Sequence, residues 1–424
     1  MIASARLAID GGEPALKQPL PAKYPGALLI GEEERRAVLE VLEAQSPFRF
    51  YGPRAPGKVS QFERELARVA GVPYALGVSS GTAALKAALQ AVGVGPGDEV
   101  IVPAVSFLAC AGAVVASRAV PIFADVDDSL GLDPAALAAR VTQHTKAVMP
   151  VAIQGVPYRA DAIVAVAQAH GLAVIEDVAQ SLGASYRGRP LGAWGDIAAF
   201  SLQLNKILTS GDGGAVATRE AALYERAVRC HDQGLFRADN TFQVPVHGEP
   251  FLAENYRMNE LSGAVALAQL HRLDGILTAL RRNKELIKAA IPARRGLVWR
   301  DLPDEAGDAG VALMFYLPTP ELAATSVRAL TAENIVADRL YGGQPAYLAW
   351  PQITHRRTIT SEGCPFACPL YGGHVEYGPG LCPRAEDLFP RAVRVPISPL
   401  FTAADCAAIA AGINKVADHL LETE

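Results

Sequence analysis

Two hydrophobic periods take turns along this chain. From Tyr74 onward, short apolar runs at 75–78, 100–103, 121–125, 147–150 and 173–177 read as strands bounded by turn residues. Between them, stretches from the low 80s to about Val92, at 133–141 and at 161–170 carry apolar residues at helical spacing. Strand and helix in alternation predict a mainly parallel sheet covered by helices, an α/β fold. Residues 1–30 have Pro and Gly but little periodicity and read as an arm. Residues 31–43 predict a helix with acids in its first turn and Val38, Leu39 and Leu42 on one face. A Pro/Gly/aromatic loop follows at 46–57. From Asn255 to about Lys288 the spacing predicts one long amphipathic helical stretch that leads away from the sheet. Beyond it, a strand at 311–317, a helix near 319–333, an irregular Pro/Gly/Cys segment at 341–384, a strand at 392–395 and a helix at 403–421 predict a smaller α/β unit. We therefore expect residues 1–290 to form an arm and a large domain, and 291–424 a small C-terminal domain.

Composition narrows the class. A chain of 424 residues exceeds what one core usually serves, which agrees with two domains. With 50% hydrophobic and 20% charged residues it reads as a globular protein. A formal net charge of −5 gives no reason to expect nucleic acid or an anionic membrane as a partner. No apolar run approaches the ~20 residues of a membrane helix, and the start lacks a basic segment followed by an apolar one, so the expected location is the cytoplasm. Six cysteines are too few for a disulfide framework. Cys364, Cys368, His374 and Cys382 cluster in sequence, but Pro365 and Pro369 interrupt them and no second tight pair follows. Packed or loop thiols are expected there, and no metal.

Two strand ends carry the chemistry. The apolar run 172–175 stops at Glu176 and Asp177, and in open α/β sheets ligands sit beyond the carboxyl ends of strands. Further on, the apolar run opening at Ala198 leads to Lys206 and then to a Gly-rich turn, Gly211 to Gly214. A lysine framed by apolar residues loses solvation, which favours the free amine and suits it to Schiff-base chemistry with a carbonyl. Alone, such a lysine is more often a solvated charge. Paired with a strand-end carboxylate and a Gly-rich turn, it matches what pyridoxal phosphate requires.

The runs Ser80-Gly-Thr-Ala-Ala-Leu85, Asp98-Glu-Val-Ile-Val-Pro103, Glu176-Asp-Val-Ala-Gln180, Gly195-Asp-Ile197, Phe200 through Gly214, Asn255-Tyr-Arg-Met258 and Cys382-Pro-Arg-Ala-Glu386 span nearly the whole chain. On them the chain resembles the sugar aminotransferases of the DegT/StrS family, fold-type I enzymes that use pyridoxal 5'-phosphate (PLP). The resemblance implies Lys206 as the residue that bonds the cofactor and moves the proton. It implies Asp177 as partner of the ring nitrogen, Phe107 stacked on the ring, Gln180 near the ring hydroxyl, and Gly81, Thr82 and Ser201 at the phosphate. It also implies a homodimer in which Asn255 reaches the neighbouring subunit's phosphate. Gly81 and Thr82 also read as an ordinary helix start, Phe107 as a core aromatic, and Arg257 as a structural ion pair. Two departures stand out: Ala152 where a polar residue, commonly histidine, is usual, with Gln154 nearby, and Glu254 where glycine is frequent.

The implied activity is transfer of an amino group from an amino acid, glutamate or glutamine, to a keto sugar or keto-cyclitol. Alternatives within the same fold are a PLP dehydratase, an aromatising synthase and a non-enzymatic regulator. The dehydratase branch replaces the lysine with histidine, so Lys206 argues against it. A regulator would more plausibly have lost Lys206 or Asp177, whereas the synthase retains the lysine. Acceptor contacts are expected in the 46–57 loop (Phe48, Tyr51, Arg54), in the 230–256 segment (His231, Asp232, Gln233) and in the 341–384 segment.

Overall fold

The computed structural model describes residues 6–237 and 248–421. Its centre is a seven-stranded sheet. The strands in chain order are β1 (Tyr74–Val78), β2 (Glu99–Pro103), β3 (Val120–Ala124), β4 (Thr145–Val148), β5 (Ala173–Asp177), a hairpin pair β6 (Ser185–Tyr186) and β7 (Arg189–Pro190) outside the sheet, β8 (Ile197–Ser201) and β9 (Gly214–Thr218). Across the sheet the order is β1-β9-β8-β5-β4-β2-β3. β9 runs antiparallel to both its neighbours, β1 and β8, and the other pairings are parallel. β1, β2, β5 and β8 therefore end at the same edge of the sheet. Helices between them bury both faces, which is why these strands are apolar throughout rather than alternating.

Between β5 and β8 the chain makes a hairpin excursion, β6 paired antiparallel with β7. Glu176 holds it in place. This buried carboxylate accepts from Tyr158 Oη (2.7 Å) and from the backbone N–H groups of Gly192 (3.0 Å), Trp194 (2.7 Å) and Gly195 (2.7 Å). Adjacent strand residues point to opposite faces, so Glu176 serves this structural task while Asp177 faces the other way.

A second, antiparallel sheet joins β10 (Val298–Trp299), β11 (Ala312–Tyr316) and β12 (Ala392–Pro396) in that order. The helices Pro320–Ala332, Ala403–Leu420 and Leu273–Ala289 pack around it. Its core residues Leu313, Phe315 and Ile409 belong to one apolar cluster with Leu182, Leu277 and Leu280 beneath the large sheet.

Two expectations change. The stretch from Asn255 is two helices, Glu260–Leu270 and Leu273–Ala289, and Asn259, not Asn255, caps the first by accepting from Ser262 N at 2.9 Å. Asn255 instead lies in a short bridge with Asp232. In the helix Glu32–Glu43 the buried face holds Glu34 and Val41, leaving Leu39 and Leu42 exposed. Glu34 turns inward because it accepts from Gly31 N (2.8 Å) and from the Gln269 side chain (2.9 Å). Periodicity alone also passed over the helices Lys58–Ala70 and Ala221–His231.

If Glu176 locks the excursion, its loss strands several buried donors at once. Glu176→Ala should lower the unfolding free energy by about 3–5 kcal/mol, and Glu176→Gln by about 1–3 kcal/mol. Urea denaturation of the cofactor-free protein measures both, and equal, sub-kcal losses would contradict the assignment.

Candidate active site

At the shared edge of β1, β2, β5 and β8 lies a cavity of about 850 Å³. Ser80, Gly81, Thr82, Phe107, Gln154, Asp177, Gln180, Ser201 and Lys206 all line it. Each follows from a strand end. β1 runs into the helix Gly81–Ala91, whose N-cap Ser80 accepts from Ala83 N at 3.1 Å. The first N–H groups of a helix have no partner within it and favour an anion. The backbone is packed tightly here. A Cβ on Gly81 would lie 2.7 Å from Ser201 Cβ, and one on Gly214 would lie 2.4 Å from the Ser80 carbonyl oxygen. Glycine at both positions lets β8, β9 and the helix start close into one cradle.

Asp177 ends β5 and is 5% exposed. Its Oδ1 accepts from Ala179 N at 2.9 Å and its Oδ2 from the Cys110 thiol at 3.0 Å. Burial pushes its carboxyl above the usual range, against the pull of these donors and of Lys206. Among the described residues it forms no salt bridge within 4.0 Å, so a protonated ring nitrogen would supply the cation that this carboxylate lacks. Lys206 sits in the irregular turn between β8 and β9, half-buried. Burial lowers its pKa from the ordinary value of 10.5, partly opposed by the negative charge of Asp177. The environment therefore favours a free amine, the nucleophilic form.

Phe107 is no core aromatic. It is the N-cap of the helix Leu108–Ala116 and stays 47% exposed at the cavity, 5.8 Å from the Tyr341 ring and 5.8 Å from the Trp350 ring. Ala152 is fully buried, while Gln154 adopts a left-handed backbone (φ 54) and lines the cavity. Gln154 Nε2 donates to Gln180 Oε1 at 2.7 Å, and Gln154 Oε1 accepts from Arg394 Nη1 at 2.8 Å. Gln180 Nε2 donates to Tyr341 Oη at 3.2 Å. Arg394, on β12, also grips Asp338 through Nε (2.8 Å) and Nη2 (2.5 Å).

The arm contributes a wall that periodicity did not foresee, with Lys23 and Tyr24 lining the cavity and Lys23 Nζ 3.6 Å from Asp338. Cys110 is the other omission. Its only sequence signal is its place one turn after Phe107. Within this chain Asn255 does not line the cavity, nor do Phe48, Tyr51, Arg54, His231, Asp232 or Gln233. His231 is fully buried, and burial beside Arg49 lowers its pKa to about 3. Arg257 pairs with Asp232, the structural alternative. Part of the 230–256 segment, residues 238–247, lies outside the described residues. Among the described residues no group of three or more His, Cys, Asp or Glu side chains is arranged to hold a metal ion.

The site's residues fit a phosphorylated pyridine aldehyde: an anion cradle at Gly81 and Thr82, an exposed aromatic face at Phe107, a buried carboxylate without a cation, and a desolvated amine. The chain is 36% identical over 349 residues to the L-glutamine:2-deoxy-scyllo-inosose aminotransferase of Streptoalloteichus tenebrarius, covering 77% of this chain and 78% of that protein. It is 41% identical over 267 residues to the GDP-perosamine synthase of Caulobacter vibrioides, covering 62% and 68%. Its fold matches the crystal structure of 3-amino-5-hydroxybenzoic acid synthase with a TM-score of 0.77 at 29% identity, over 94% of this chain and 100% of that one. Residues 29–414 match one family along their whole length, and the chain belongs to the DegT/DnrJ/EryC1/StrS aminotransferase family.

Proposed function

We propose that this aminotransferase uses PLP to move an amino group from L-glutamine or L-glutamate to the keto group of a cyclitol or sugar. The observation that carries the reading is the meeting of a desolvated Lys206 and a buried Asp177 in one cavity. A keto-cyclitol is the first acceptor to test, because the cyclitol enzyme resembles this chain over 77% of its length and the nucleotide-sugar enzyme over 62%. PLP, when bound, supplies an aldehyde for the amine and a ring that accepts electrons.

The chain's own residues divide the remaining work. Gly81 and Thr82, with Ser201, hold the phosphate, Phe107 covers one ring face, and Gln180 stands by the ring hydroxyl. Asp177 keeps a negative charge opposite the ring nitrogen. Lys206 Nζ would carry a proton between the donor's Cα and the cofactor's aldehyde carbon. We further propose that the chain works as two domains divided near residue 290, acts in the cytoplasm, and forms a homodimer in which Asn255 serves the neighbouring copy's phosphate. Exposure of Asn255 away from its own cavity supports that last assignment. The aromatising synthase reading gains from the fold match to 3-amino-5-hydroxybenzoic acid synthase, and the same assay distinguishes it.

In a panel of PLP-loaded protein with each donor, against a keto-cyclitol, a nucleotide-linked keto-hexose and a non-aromatic cyclic precursor of an aminobenzoate, amine should appear on a keto acceptor without aromatisation. Release of an aromatic product, or no transfer to any acceptor, would overturn the reading. Lys206→Ala should abolish turnover, and Asp177→Ala should lower it by at least about a hundredfold while phosphate contacts still retain cofactor. Near-normal turnover of either variant at saturating PLP would remove its residue from the mechanism. The lowered pKa of Lys206 has a defined sign: as pH rises, free amine accumulates before the ordinary lysine value of 10.5 is reached. Colour development on mixing cofactor-free protein with PLP should therefore level off below that pH, and a rate that still climbs through it would contradict the desolvated amine. For Asn255, mixed dimers of Lys206→Ala and Asn255→Ala chains should regain activity at limiting PLP, because one site then carries both lesions and the other neither. Verified subunit exchange without any gain would place Asn255 in its own subunit.

A further inference from the structure

The helix Leu108–Ala116 starts at the cavity, and its first turn presents two side chains to the site. Phe107, at the N-cap, lines the cavity. Three residues on, and so on the same side of the helix, Cys110 is fully buried and donates its thiol to Asp177 Oδ2 at 3.0 Å. The opposite oxygen, Oδ1, is held by Ala179 N at 2.9 Å. Each carboxylate oxygen thus has one donor from the protein, which fixes the plane of the group and leaves lone pairs for a donor in the cavity. Ser106, just before the helix, donates its hydroxyl to the Pro103 carbonyl oxygen at 3.2 Å.

We propose that Cys110 is a positioning residue for amino transfer, a thiol that clamps the Asp177 carboxylate in register with the ring nitrogen while Phe107, on the same helical turn, sets the ring's height. This rests on the reading of Asp177 as the ring-nitrogen partner. The thiol acts as donor and not as nucleophile. Burial and the neighbouring carboxylate hold it protonated well above the ordinary thiol range. No bond is made or broken at sulfur. Serine, a stronger donor of similar size, should substitute for it, whereas alanine leaves Oδ2 without its protein partner and free to turn. Helix Leu108–Ala116 then becomes one rigid device that aligns stacking and charge, so the two contacts cannot drift apart independently.

The clamp can be read without the cofactor. In cofactor-free protein, the infrared S–H stretch isolated by subtracting the Cys110→Ser spectrum should lie below that of an unbonded thiol. It should move up in Asp177→Asn, where a neutral amide replaces the charged acceptor. In PLP-loaded protein, Cys110→Ala should lower kcat by about tenfold with KM for both substrates held within about twofold, and Cys110→Ser should recover kcat to within about threefold. A role confined to filling space predicts the reverse: no S–H shift in Asp177→Asn, and full kcat for any Cys110→Ala protein that folds. Either result overturns the proposal. Should Cys110→Ala melt before assay, the S–H shift in Asp177→Asn and the activity of Cys110→Ser still decide it: an unshifted band, or a folded serine variant with kcat reduced as far as tenfold, would sink the clamp. The two layers fail separately. Wild-type turnover by Asp177→Asn would remove the ring-nitrogen role itself, whereas an inactive Asp177→Asn beside a fully active Cys110→Ala would remove the clamp alone.

Discussion

The end of β5 is the point on which the site depends. Two carboxylates stand there side by side, and the pleat sends them to opposite faces. Glu176 goes to the structural side, where three backbone N–H groups and a tyrosine hydroxyl consume its charge. Those N–H groups belong to residues 192–195, the segment that enters β8, so the same carboxylate fixes where β8 runs beside β5. β8 then delivers Ser201 to the cavity edge and the turn that carries Lys206. Asp177, one residue later, receives no cation from the described residues, only a thiol and one N–H. A buried carboxylate in that condition is costly unless a charged partner arrives, and this separates a ligand site from a structural ion pair.

Charge inside the cavity is arranged by burial more than by pairing. Desolvation moves Lys206 down and Asp177 up, in each case against the attraction between them. That ordering favours a free amine and leaves the carboxylate in need of a positive donor. Around this pair the second sheet supplies a polar chain from Asp338 through Arg394 and Gln154 to Gln180 and Tyr341. It crosses from β12 to the loop after β4, tying the smaller sheet to the residues that surround the ring position. Gln154 and Tyr341 both hold left-handed backbone there, at φ 54 and 51. Non-glycine residues take that conformation at a cost and only where their surroundings over-determine it.

Much of this was legible in the sequence because strand ends are local events. Apolar runs that stop at an acid, a helix start of small residues, and a lysine before glycines each point to one edge of an α/β sheet. Lys206 and Asp177 were readable for that reason, whereas Gly81, Thr82, Ser201, Phe107 and Gln180 were pointed to by the family resemblance; all seven line the one cavity. What escaped were contacts made by distant segments. Cys110 looks like any buried helix thiol until Asp177 is placed beside it. The arm gave no sign that Lys23 and Tyr24 form a cavity wall, since its path is set by tertiary contacts such as that of Lys23 with Asp338. Helical spacing also misassigned the buried face of Glu32–Glu43, because a buried Glu34 with good partners outweighs two leucines left in the open. The break between the two helices after Asn259 falls at His271 and Arg272, where no proline or glycine announces it.

The central claim is that one amine, Lys206, meets the cofactor in this cavity. Borohydride reduction of the PLP-loaded protein, followed by peptide mapping, tests it most directly. The account predicts a single pyridoxyl group, on the peptide that contains Lys206. A pyridoxyl group on any other lysine, with Lys206 unmodified, would contradict it.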